Sequence, residues 1–177
     1  MYSKIFLNLF FLIILFVLRL SFVPALPSWL SRLDLLIIAL VFILTLVDFK
    51  TAFWWSLGAG FLLDIFSFLP FGFYLVSLFL ALLAVNFLFN SFFTNRSLYS
   101  FLTLTFFYTL FYRILLSGAV YIWQFFGDRE FFKIFILEFW RDLGASIASN
   151  LIAVFMLFYL FGFFSKKLKP VFLIKRK

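Results

Sequence analysis

Three ionisable side chains fall inside apolar stretches of this sequence, namely Arg19, Asp64 and Arg113. Measured from the cytoplasmic ends of their predicted spans, at about 1.5 Å per residue, all three lie roughly 18 to 23 Å deep. An isolated charge in a membrane costs about 3 kcal/mol or more, whereas a paired charge facing other helices costs less. We therefore predict an intramembrane charge cluster, with Asp64 and Arg113 as the preferred ion pair and Arg19 as the alternative partner of Asp64.

Little else in the sequence is equipped for catalysis. The chain contains no cysteine and no histidine, which removes thiol chemistry, disulfides, the commonest general base and the commonest metal ligand. It also lacks a phosphate-binding loop and a second carboxylate near Asp64 within the apolar stretches. We predict a protein that is not an enzyme and needs no cofactor or metal; a proton or ion relay through Asp64 is the weaker alternative to a helix-pairing role.

The composition indicates an integral membrane protein. Of the 177 residues, 67% are hydrophobic and only 12% are charged, and the mean hydropathy is +1.20, values outside the range of soluble domains. The formal net charge of +8 does not indicate nucleic-acid binding, because six of the fifteen basic residues are concentrated in the tail 165–177.

Polar residues divide the apolar sequence into blocks near the ~20 residues that cross a bilayer. We predict an all-α fold, a single domain (residues 1–177) in which six transmembrane helices form one compact bundle. Ser31 and Asp34 form a start signal for the second helix near Arg32, while Pro70 and Gly72 make a tight turn between the third and fourth. The predicted spans are residues 5–22, 33–47, 52–69, 71–93, 98–123 and 143–164.

Lys and Arg tend to remain on the cytoplasmic side of a membrane. With both termini inside, nine basic residues fall on the cytoplasmic side and four on the outer side. The predicted topology is a chain that crosses the membrane several times, with cytoplasmic termini and a basic cytoplasmic tail at 165–177. A cleaved signal peptide at the N-terminus is an alternative that leaves the orientation of the other five spans unchanged.

Residues 127–142 mix charged and aromatic side chains, which predicts a segment in the outer interface before the sixth span. It is either a plain interfacial or re-entrant connector or a docking surface for an extracytoplasmic partner. The residues proposed for such docking are Phe131, Phe135, Phe139 and Trp140.

Small residues and amides inside the spans predict where helices meet, since small side chains allow close approach and amides bond across helices. The predicted helix-packing residues are Gly58, Gly60, Gly144 and Ala148, and the packing at Gly144 and Ala148 is either internal or intermolecular. The amides expected to bond between helices are Asn86, Asn90 and Asn150.

The runs LDLLIIALVF and GAGFLLDIFSFLPFGFYLVSLFLAL resemble the rod shape-determining protein MreD family of bacteria. Members typically have an acidic residue opening the second span and a Gly-rich, Asp-bearing third span followed by a short turn. The matching residues are Asp34, Gly58, Gly60, Asp64, Pro70 and Gly72. The chain departs from the family pattern at Leu33, where proline is common, and at Arg19, where a neutral residue is expected.

This resemblance implies a non-enzymatic inner-membrane component of the cell-elongation machinery. Such a protein binds an MreC-type membrane-anchored scaffold, contacts other elongation-machinery membrane proteins and helps position lateral cell-wall synthesis. The alternative, suggested by similar size and span number, is a substrate-binding subunit of an energy-coupling-factor type vitamin transporter. In both cases the partners include the lipid bilayer and exclude nucleic acid.

Overall fold

A computed structural model describes residues 2–27, 30–93, 97–125 and 132–172. These residues form six α-helices and a short 3-10 turn at Val23–Ala25, with no strand among them, which confirms the predicted all-helical class. The helices are α1 (Tyr2–Ser21), α2 (Leu35–Leu46), α3 (Phe49–Ile65), α4 (Phe73–Phe92), α5 (Leu98–Phe125) and α6 (Phe132–Phe172).

Four segments of these helices are long and apolar enough to cross a membrane, which agrees with a multi-pass helical membrane protein. They are Phe6–Ala25, Phe73–Phe92, Leu98–Trp123 and Phe139–Leu160. The 12 residues of α2 extend only about 18 Å, against a hydrocarbon thickness of ~30 Å. The 17 residues of α3 extend about 25 Å. Six complete spans therefore remain a prediction.

The short helix α2 lies at the centre of the bundle, where it contacts α1, α3, α4, α5 and α6. A helix that is apolar on every side is surrounded either by protein or by lipid, and most of α2 is buried by protein. Its buried residues are Leu36, Ile37, Ile38, Leu40, Val41, Leu44 and Thr45. Because protein surrounds it, α2 does not need to match the thickness of the bilayer.

Two predicted boundaries around α2 are corrected by the structure. The helix begins at Leu35 rather than near Arg32, and the Asp34 side chain at the preceding position makes no capping bond. The third helix begins at Phe49 rather than at residue 52, and Asp48 is its N-cap, where the carboxylate accepts a hydrogen bond from the Thr51 N–H at 2.9 Å. Interactions with the Thr51 side chain and backbone N–H lower the pKa of Asp48.

The prediction that an interfacial segment at 127–142 is separate from the sixth span is also wrong for the residues of that segment that the structure describes. Residues 132–142 continue without a break into α6, a single helix of 41 residues. A helix of this length extends about 60 Å, roughly twice the hydrocarbon thickness. Its ends must therefore extend beyond the hydrocarbon, with Phe139–Leu160 as the spanning part.

Contacts place the C-terminal ends of α1 and α3 beside the N-terminal ends of α2 and α4. The N-terminal part of α6 lies at the same end, because its Asp142 pairs with Arg32 in the segment before α2. Arg19 near the end of α1 pairs with Asp34, which precedes α2. Asp64 near the end of α3 contacts the first turn of α4. We refer to this end of the bundle as the Asp64 end, and to the opposite end, where α3 begins beside Lys50, as the Lys50 end.

Candidate functional site: polar clusters at the Asp64 end

Asp64 caps the N-terminus of a helix other than its own. Its Oδ1 accepts a hydrogen bond from the Tyr74 N–H at 2.9 Å, and its Oδ2 accepts one from the Leu75 N–H at 3.1 Å. The first N–H groups of a helix have no partner within that helix, and inside a membrane no water replaces one. Asp64, which is 4% exposed, supplies both acceptors and adds a negative charge where the helix dipole favours it.

Gly60 and Gly72 make this arrangement possible. Gly60 lies one turn before Asp64, and a Cβ there would lie 2.5 Å from the Leu75 Cα, so only glycine permits this approach of α3 and α4. Gly72 precedes α4 with a φ of 101°, a left-handed conformation that glycine adopts without strain. Its neighbour Pro70 accepts a hydrogen bond from the Phe73 N–H at 3.4 Å. The predicted turn at Pro70 and Gly72 is confirmed, and we call Gly60, Asp64 and Gly72 the α3–α4 corner.

The predicted ion pair between Asp64 and Arg113 is wrong. Both oxygens of Asp64 bond backbone N–H groups of α4, while the Arg113 Nη2 donates to the Ser146 Oγ on α6 at 2.8 Å. Arg19, the alternative partner, pairs with Asp34. Depth alone does not select a partner, because charges at the same level can face different neighbours. The three residues therefore do not form one charge cluster.

The ion pair in this region joins Arg19 to Asp34. The Arg19 Nη2 lies 3.1 Å from the Asp34 Oδ2, and the two side chains are 19% and 3% exposed. Neither Asp34 oxygen has a hydrogen bond of good geometry, so the attraction is ionic rather than a well-aligned hydrogen bond. The fully buried Tyr112 of α5 lies close enough to interact with the Arg19 guanidinium.

Asn150 extends this cluster across three helices. Its Oδ1 accepts a hydrogen bond from the Asp34 backbone N–H at 2.8 Å, and its Nδ2 donates to the Thr109 Oγ1 at 3.0 Å. One buried amide of α6 thus joins the start of α2 to the middle of α5. The prediction that Asn150 bonds between helices is confirmed. We call Arg19, Asp34, Thr109 and Asn150 the polar layer.

Asn86 and Asn90 behave differently from Asn150. The Asn90 Nδ2 donates to the Asn86 Oδ1 at 3.4 Å, one turn away on α4. The expectation that this pair bonds across helices is therefore not met, because a spacing of four residues brings two amides together on the same helix face.

The four predicted helix-packing residues divide into two pairs. Gly58 and Gly60 lie at close contacts: a Cβ on Gly58 would be 3.0 Å from the Leu12 Cδ1 of α1, and Gly60 faces α4. Gly144 has nothing within 4 Å of its would-be Cβ, and Ala148, one turn later, is also exposed. The internal alternative for Gly144 and Ala148 is wrong, because Ser146, Ser149 and Asn150 occupy the inward face of α6. Intermolecular packing at these two residues stays a prediction.

This difference gives a matched test with alanine. Gly60→Ala should lower the free energy of unfolding by about 1 to 3 kcal/mol, as overpacking typically does, because the backbone of Leu75 blocks the new methyl group. Gly144→Ala should leave stability unchanged or raise it by up to about 1 kcal/mol, since alanine favours helix. Equilibrium unfolding in mixed micelles measures both. Equal losses for the two variants would contradict the packing assigned to Gly60.

The structure describes the side chains of two of the four predicted docking residues, Phe139 and Trp140. Phe131 lies outside the described residues, and for Phe135 the structure describes only the backbone within α6. The Trp140 side chain is 60% exposed, and its ring lies 5.4 Å from that of Phe139 in an edge-to-face arrangement. Near this position Arg32 and Asp142 form an ion pair at 2.6 Å, joining the segment before α2 to α6.

The chemistry of these clusters is that of helix attachment. Both Asp64 oxygens are occupied by backbone donors, and Asp34 faces a guanidinium. Within the part of the chain that the structure describes, no group of three or more carboxylates, cysteines or histidines is positioned to hold a metal ion. Two guanidinium atoms, Nη1 of Arg19 and Nε of Arg113, are buried without a hydrogen-bond partner.

Comparisons with other proteins give no assignment: no family model, curated protein or solved structure matches this chain.

Proposed function

We propose that this chain is a membrane protein of the MreD type, which binds an MreC-type scaffold and helps position lateral cell-wall synthesis in a bacterial inner membrane. In this proposal the chain forms six spans, both termini are cytoplasmic and the Asp64 end faces outward. The protein has no enzymatic activity of its own and acts by holding its partners in place.

The observation that carries the proposal is the physical role of the residues on which the resemblance depends. Asp64 caps α4, Gly60 allows the approach of α3 and α4, and Gly72 supplies the left-handed turn residue between them. These positions act as one unit, so the resemblance corresponds to a structural corner rather than to scattered identities.

The acidic residue that opens the second span gives further support. Asp34 is buried and pairs with Arg19, the position at which this chain departs from the family pattern. The departure is thus accommodated by a residue that the family pattern already contains. An acidic residue at the start of α2 and a basic residue at the end of α1 fix the same helix junction.

Co-purification with an MreC-type scaffold protein tests the proposal. The wild-type chain should retain the scaffold after solubilisation in a mild detergent. Trp140→Ala should weaken binding by about 30-fold, the effect of losing an exposed aromatic anchor worth about 2 kcal/mol.

Trp54→Ala is the matched control, because Trp54 is similarly exposed (63%, against 60% for Trp140) but lies toward the Lys50 end. It should leave scaffold binding unchanged. A stable, monodisperse wild-type protein that ignores the scaffold would overturn the proposal. A melting temperature raised by one vitamin and not by others would favour the transporter alternative instead.

A further inference from the structure

A cleft of about 730 Å³ lies between α1 and α3, on the side of the bundle away from α5 and α6. Leu12 and Gly58 approach each other closely there. Exposed apolar side chains from both helices line the cleft, among them Leu9, Ile13 and Phe61. The cleft is therefore a lateral, mostly apolar recess.

The two ends of the cleft differ in chemistry. At the Lys50 end it is lined by Asn8, Lys50 and Thr51, with Trp54 beside them. Beyond the other end, the rings of Phe16 and Phe66 pack together across the two helices, with centroids 5.2 Å apart. The recess thus combines a polar, cationic end with apolar walls and an aromatic boundary.

The charge at the polar end is available to a ligand. Lys50 is exposed and forms no ion pair within 4.0 Å among the residues that the structure describes. The nearby Asp48 carboxylate interacts electrostatically with Lys50, but it does not line the cleft and caps α3 through Thr51. A ligand head group next to Lys50 would thus meet a cation, an amide and a hydroxyl.

The length of the cleft distinguishes a lipid chain from a protein helix. From Lys50 to Phe61 the lining of α3 extends about 17 Å, close to one leaflet, or half of the ~30 Å hydrocarbon. A transmembrane helix of a partner would pack along the full thickness, whereas one acyl chain occupies one leaflet. A tryptophan such as Trp54 beside the polar end is typical of the membrane interface.

We propose that the cleft between α1 and α3 binds one anionic phospholipid, with an acyl chain between Leu9, Ile13 and Phe61 and the phosphate group at Lys50. Charge complementarity selects an anionic head group, because the described residues that line the cleft include the Lys50 cation and no carboxylate. This site is independent of scaffold binding, which the proposed function assigns to the Asp64 end.

Native mass spectrometry of the detergent-solubilised protein, titrated separately with phosphatidylglycerol and phosphatidylcholine, tests the site. The wild type should retain one phosphatidylglycerol molecule in preference to phosphatidylcholine. Ile13→Trp should lower retention of phosphatidylglycerol at least tenfold, because the indole fills the part of the cleft in which the acyl chain would lie, without removing a buried contact. Lys50→Gln should reduce the preference for phosphatidylglycerol about fivefold, the effect of one lysine at an anionic lipid surface.

Each variant has a matched control outside the cleft. Leu80→Trp adds the same bulk on α4 at a side chain of similar exposure (42%, against 44% for Ile13). Arg141→Gln removes an exposed cation from α6. Both should bind lipid as the wild type does. Leu9→Trp, at a residue that is 57% exposed, provides a second filled cleft if Ile13→Trp fails to fold.

Equal retention by the filled-cleft variants and Leu80→Trp would overturn the proposal, as would equal retention of the two lipids by the wild type. A co-purified protein helix that competes with lipid for the cleft would also overturn it.

Discussion

Asp34→Asn should lower the free energy of unfolding by about 3 kcal/mol, at the lower end of the 3 to 5 kcal/mol typical for breaking a buried ion pair. The substitution preserves the shape of the side chain and the backbone N–H bond to Asn150. It removes the charge that faces the Arg19 guanidinium. The lower end applies because Arg19 retains 19% exposure. Equilibrium unfolding in mixed detergent micelles measures the loss.

A double variant separates the ion pair from other effects at the same position. Arg19→Met together with Asp34→Asn removes both charges and keeps an apolar side chain of similar length on α1. The combined loss should be smaller than the sum of the single losses by about 1 to 3 kcal/mol, as expected for residues in contact. Strictly additive losses would show that Arg19 and Asp34 do not stabilise each other.

Asp64→Ala should lower the free energy of unfolding by about 3 kcal/mol. Two N–H groups at the start of α4 each lose a hydrogen bond to a charged acceptor, and each such bond contributes about 1.5 kcal/mol or more. The amides of Tyr74 and Leu75 donate those bonds. They should also exchange their hydrogens faster in the variant, and amide hydrogen exchange resolved at these two residues measures that local effect. Asp64→Asn keeps one acceptor oxygen and should cost less than Asp64→Ala.

A second double-mutant comparison tests whether Asp64 interacts with Arg113. In the double variant Asp64→Ala and Arg113→Ala, the losses should add to within about 0.5 kcal/mol, as for sites that share no partner. A deviation from additivity above about 1 kcal/mol would support the ion pair between Asp64 and Arg113 that was predicted from depth alone. Unchanged amide exchange at Tyr74 and Leu75 in Asp64→Ala would contradict the capping role.

The Asp34 and Asp64 variants affect two different helix junctions at the same end of the bundle. The Arg19–Asp34 pair fixes the junction of α1 with α2, and the α3–α4 corner fixes the next pair of helices. If the scaffold binds at the Asp64 end, the Asp34 and Asp64 variants should bind the scaffold more weakly, because they lower the free energy of unfolding of the protein. Trp140→Ala should weaken it without lowering stability, because Trp140 is exposed.

The class of the protein and the approximate positions of its apolar helices can be predicted from the amino-acid sequence alone. Blocks of apolar residues near the length of a membrane span predict helices, because a backbone in lipid must satisfy its own hydrogen bonds. The turn at Pro70 and Gly72 was also readable, since proline and glycine restrict and extend the backbone in known ways.

Which polar groups meet depends on how the helices pack in three dimensions. Asp64, Arg19 and Arg113 lie at similar depth in the sequence pattern, yet the first caps α4, the second pairs with Asp34 and the third donates to Ser146. Depth follows from the count of residues along one helix, whereas a partner depends on the rotation and neighbours of each helix. The same reason explains why Gly60 lies against α4 whereas Gly144 is exposed. Both glycines lie among small residues in the sequence, and only the packing of the helices determines which small-residue face contacts another helix.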